Sequence, residues 1–96
     1  MFMTTVRTIW KFPLDKVGPI EMPWRSEIIH VGLQEGVLCL WAEVDLSNMT
    51  PQLRRFTIVG TGQPIPDDWK YLSTWQEPPF VWHLYEMFGS WENVQG

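Results

Sequence analysis

Cysteine is almost missing from this chain: Cys39 is the one thiol in 96 residues. No intrachain disulfide can form, which favours a reducing compartment over secretion. Long apolar runs are missing too. Nothing approaches the roughly 20 residues a membrane-spanning helix needs, and Met1-Phe2-Met3 is too short for the apolar core of a signal peptide. Positive charge is scarce: seven cations (Arg7, Lys11, Lys16, Arg25, Arg54, Arg55, Lys70) meet eleven carboxylates, for a net charge of -4. Only Arg54 and Arg55 are adjacent, and successive residues of a strand point to opposite faces. Duplex nucleic acid, bound mainly by neutralising phosphates, is therefore not an expected partner. An acidic surface suits a basic protein groove, or solubility alone. No segment of eleven or more residues carries a 3.6-residue apolar stripe, so helices are not expected. The expectation is a soluble, cytoplasmic protein without membrane contact.

What the chain does have is alternation. Residues 28–45 read as two strands joined at Glu35-Gly36, with Leu38, Leu40, Ala42 and Val44 on one face of the second strand. Gly36 fits a short hairpin loop because glycine adopts a positive φ without steric penalty. Before the hairpin, Val6, Thr8, Trp10 and Phe12 alternate with Arg7, Ile9 and Lys11, and Pro13 ends that strand. Residues 19–23 form a short extended piece bounded by prolines, which confine it to a sheet edge. Further strands are expected at 52–60, 70–76 and 79–87, the last two joined around Glu77-Pro78. Turn signals recur about every 8–12 residues. The predicted fold is all-β, a small, mostly antiparallel sandwich or partly open barrel of about six or seven strands. It is expected as one domain over residues 1–88, with residues 89–96 a loosely held tail.

Aromatic residues are plentiful: seven Trp, five Phe and two Tyr. Each large aromatic buries about 150–250 Å², so a core this small cannot hide them all. Some indoles are expected at the surface, where they mark contact sites. Strict alternation would set Trp69, Tyr71, Ser73 and Trp75 on one face of their strand, and Phe80, Trp82 and Leu84 on one face of the next. Paired, these rows would form a continuous aromatic face, serving as a lid on the Leu38–Val44 face or as a contact surface. Trp24, Arg25, Trp69, Tyr71, Trp75, Trp82 and Trp91 are the candidate binding residues on the second reading.

The residues with chemistry to offer are few. The loop over residues 60–68 contains Gly60, Thr61 and Gly62, whose backbone N–H groups could face an anion, with Asp67 and Asp68 nearby. A phosphate cradle normally opens a helix, whereas two prolines follow here, so a demanding turn explains the same residues. His30, His83 and Cys39 are too few and too dispersed for a zinc site, and no metal or other cofactor is expected. Cys39, between two leucines, reads as a small packed apolar group. Asp67, Asp68, Glu77, Glu86 and Glu92 read as surface carboxylates, and no catalytic set stands out.

Several runs together resemble a family of short, uncharacterised proteins of bacteriophages and prophages. They are T-I-W-K-F at 8–12, I-E-M-P at 20–23, G-V-L-C-L-W-A-E-V-D at 36–45, R-F-T-I-V-G-T-G-Q-P-I-P at 55–66 and Y-L-S-T at 71–74. The likeness runs from about residue 5 to residue 85; Trp24-Arg25 and the Trp-bearing tail after Phe88 depart from it. It implies a phage accessory protein of the bacterial cytoplasm and supplies no activity. Two functions follow as expectations. One is a non-enzymatic module that binds, and inhibits, a host defence or metabolic protein. The other is a small-ligand binder, a homo-oligomer sequestering a nucleotide with the Gly60-Thr61-Gly62 turn and adjacent aromatics.

Overall fold

A computed structural model describes residues 5–14 and 19–88; the expected tail, with Trp91, lies outside the described residues. Seven strands are present: β1 (Arg7–Pro13), β2 (Ile20–Pro23), β3 (Glu27–Gln34), β4 (Val37–Asp45), β5 (Pro51–Gly60), β6 (Lys70–Glu77) and β7 (Phe80–Met87). No helix occurs among the described residues. The strands form two sheets, in orders β1-β4-β3 and β2-β5-β7-β6, and neither closes into a barrel. The all-β fold expected from alternation is therefore the one observed. By its contacts the chain divides into two compact units, Met1–Leu53 and Arg54–Gly96, and β5 runs across that division.

In the first unit, β4 is central because it is the most apolar strand, paired antiparallel with β1 on one side and β3 on the other. Leu38, Leu40, Ala42 and Val44 are buried, as their alternation predicts. Thr8, Trp10 and Phe12 of β1 stand opposite Val44, Ala42 and Leu40, so their side chains share that face. The opposite face is mixed: Lys11 Nζ donates to Gln34 Oε1 at 2.7 Å, and Arg7 lies 3.6 Å from Glu43. Cys39 on that face is buried, as a packed apolar group would be. The β3–β4 turn has φ of 52° at Glu35 and 81° at Gly36. Both values are positive, the signature of a type I′ hairpin turn, whose twist matches that of the strands it joins.

β2, confined by its prolines, occupies an edge of the four-stranded sheet as expected. Its last residue starts a turn in which Ser26 N–H and Oγ–H both donate to Pro23 O, at 3.1 and 2.7 Å. In the second unit, β7 is flanked antiparallel by β5 and β6. Here the sequence expectation needs a correction. The β6 register slips between Tyr71 and Ser73, a β-bulge at Leu72. One extra residue reverses the facing of everything beyond it. Ser73 and Trp75 thus share a face with Leu84 and Trp82, while Tyr71 lies opposite Tyr85 on the other face. The aromatic row does not run unbroken along one side.

Among the described residues, the buried apolar side chains are Met22, Leu38, Cys39, Leu40, Ala42 and Val44 in the first unit and Val59 and Leu84 in the second, with no aromatic among them. Glu86, expected at the surface, is also buried; Arg54 grips it with Nε to Oε2 at 2.6 Å and Nη2 to Oε1 at 2.7 Å. A two-pronged guanidinium is one of the few partners that lets a carboxylate leave water.

Candidate functional site

Alternation along β5, β7 and β6 places Ile58, Trp82 and Trp75 on one face of the second unit. Trp75 stands directly opposite Trp82, and Glu77 opposite Phe80, next to the Pro78-Pro79 turn. Ile58, Trp75, Glu77 and Trp82 line an open cleft of about 240 Å³. Phe80 stacks on Trp82, ring centroids 5.3 Å apart and planes inclined at 27°. Ile58 is 49% exposed and Phe80 56%. This is a water-facing apolar surface with one acidic residue, Glu77, in its lining. Trp75 and Trp82 were legible in the sequence as binding candidates. Ile58 and Glu77 were not, because only the strand register brings them beside the indoles.

A second cleft, about 350 Å³, adjoins the first through Trp82 and is lined by Gly60, Thr61, Pro79, Phe80, Val81 and Trp82. Gly62 has φ of 95°, the left-handed region that glycine tolerates, and Gln63 N–H donates back to Gly60 O at 3.1 Å. The Gln63 side-chain oxygen in turn accepts from Gly60 N–H. One of the three amides expected to face an anion is therefore committed within the loop. Asp67 and Asp68 are exposed in a later turn.

The opposite face of this sheet carries a chain of hydroxyls through His83. His83 Nε2 lies 2.9 Å from Thr61 Oγ1, its Nδ1 lies 2.8 Å from Thr74 Oγ1, and that hydroxyl lies 2.8 Å from Tyr71 OH. The pairing of His83 with Thr74 depends on strand register and is invisible in the sequence. The geometry ties the Gly60-Thr61-Gly62 turn and β6 to β7. A nucleophile–base pair has the Thr61–His83 spacing, but the group orienting the ring is the Thr74 hydroxyl rather than a carboxylate. Tyr71, edge-on to Tyr85 at 5.6 Å, belongs to this face.

The remaining candidates are dispersed. Trp24 and Arg25 form the tip of the β2–β3 turn in the first unit, with the guanidinium 5.9 Å from the indole centroid. Trp24 is 40% exposed, and Arg25 holds a positive φ of 59° that few residues other than glycine adopt. Trp69 precedes β6 half-buried, its indole N–H enclosed without a hydrogen-bond acceptor among the described residues. His30 lies against Trp41, centroids 5.4 Å apart, on the mixed face of the first sheet. Among the described residues no three of His, Cys, Asp and Glu gather into a metal-ligating group, and no helix is long and apolar enough to cross a membrane.

Set against known proteins, residues 5–93 match a family model described as a domain of unknown function, DUF7352. No curated protein matches the chain, and no solved structure does.

Proposed function

The chain belongs to the DUF7352 family, and we propose that it is a non-enzymatic binding protein that grips a protein partner with the Ile58–Trp75–Phe80–Trp82 surface. One observation carries this reading: large apolar side chains stay accessible together on one sheet face, while none of the buried apolar side chains among the described residues is aromatic. Contiguous apolar surface exposed to water marks contact sites, and Trp is the residue most enriched where binding energy concentrates. The phage-like sequence pattern supports a partner in the bacterial host, a defence or metabolic protein inhibited by being covered. The test is affinity capture from a bacterial host. Tagged wild-type protein retains one stoichiometric host protein, and Ile58→Ser with Phe80→Ser, both at exposed positions, loses it while keeping the same circular dichroism. Equal retention by both forms, or no stoichiometric protein, refutes the reading.

A second reading, a small-ligand binder sequestering a nucleotide as a homo-oligomer, is favoured by the cleft that joins Gly60 and Thr61 to the stacked Phe80–Trp82 pair. A base stacks readily on such rings. The commitment of Gly60 N–H to Gln63 weakens it. Mass spectrometry of denatured protein purified from cells shows a nucleotide if this reading holds.

A further inference from the structure

Resting on the proposed contact surface, we infer that the cleft between Trp75 and Trp82 is a binding site for a cationic side chain, the lysine or arginine of a basic segment on the partner. Glu77 lines the cleft beside two indoles and an isoleucine. Among the described residues its side chain has neither a hydrogen bond nor an ion pair. Lys70, on the same strand, pairs in register with Glu86 rather than beside the cleft.

The chemistry of the lining then selects the occupant. A neutral aliphatic side chain would gain from the indoles but would cover Glu77 without replacing its water, and an unpaired carboxylate is costly to desolvate. An acidic segment would be repelled, both by Glu77 and by a chain of net charge -4. The same charge disfavours a second copy of this chain as occupant. A lysine or arginine satisfies both halves of the site. Its apolar stem lies along the indoles while its head meets the ring faces and the carboxylate.

The probes are three capped tripeptides, Gly-Lys-Gly, Gly-Arg-Gly and Gly-norleucine-Gly, titrated into the full chain while the indole N–H resonances are followed by NMR. The lysine or arginine peptide should shift Trp75 and Trp82 saturably in the millimolar range. Norleucine, which keeps the stem and lacks the charge, should bind at least about fivefold more weakly, the equivalent of ~1 kcal/mol. Glu77→Gln, at an exposed position, should remove most of that preference, and added salt should reduce it. Equal binding of norleucine, an unchanged preference in Glu77→Gln, or no indole shift with any peptide overturns the inference, as does concentration-dependent dimerisation that shifts the same two indoles. A host protein whose capture depends on Ile58 and Phe80 but not on Glu77 would leave the contact surface standing and sink the cationic site alone.

Discussion

Glu86 has 2% of its side chain exposed, and Arg54, whose guanidinium grips it, has 13%. Breaking such a pair leaves a buried charge alone, which costs about 3–5 kcal/mol, whereas replacing both members with apolar groups is often close to neutral. Arg54→Met alone should therefore lower stability by about 3–5 kcal/mol, and Arg54→Met with Glu86→Leu should recover most of it, measured by urea denaturation. A double variant no better than the single would show that the pair does more than neutralise itself. At the surface, Asp45 behaves differently. The Ser47 hydroxyl and then the Ser47 backbone N–H, at 2.6 and 2.8 Å, hold its carboxyl below the ordinary 3.8, with a smaller contribution from Arg7. A depressed folded value means that the stabilisation is complete above 3.8 and fades as pH falls through the folded value. Ser47→Ala should move the Asp45 midpoint up towards 3.8, read by NMR titration of the side chain.

The β3–β4 hairpin makes a prediction of opposite sign at each of its two turn residues. Nothing lies within 4 Å of a Cβ built on Gly36, so Gly36→Ala costs only the left-handed backbone, about 1–2 kcal/mol. Glu35 already incurs that cost, and Glu35→Asn should raise thermal stability by about 0.5–1 kcal/mol, because asparagine tolerates this region. This turn was legible because glycine and the alternation on either side point the same way. The bulges were not. Ile29 in β3 and Leu72 in β6 each interrupt a register, yet both are β-compatible residues with no glycine or proline to mark the break. Tyr71 was consequently grouped with Trp75 in the sequence, and the structure separates them. Tyr71→Ala should leave affinity for a partner bound at the Trp75–Trp82 cleft within about twofold, while Trp75→Ala should weaken it at least about tenfold. Similar losses from both would mean the cleft is not where binding occurs.

Among the described residues of the whole molecule, no tryptophan is fully buried. Trp10 and Trp24 are exposed, and Trp41, Trp69, Trp75 and Trp82 are half-buried. Alternation made the fold class and the buried face of β4 legible. It could not show which indoles share a surface, since that depends on register between strands distant in sequence, nor that Glu86 would be drawn inside by Arg54. The proposed grip belongs to one face of β5, β7 and β6 rather than to exposed tryptophan in general. Indole N–H resonances, recorded as the captured host protein is added, test this directly. Trp75 and Trp82 should shift or broaden in proportion to complex formed, with Trp10 and Trp24 unmoved. Perturbation of Trp10 or Trp24 with Trp75 and Trp82 silent would contradict it.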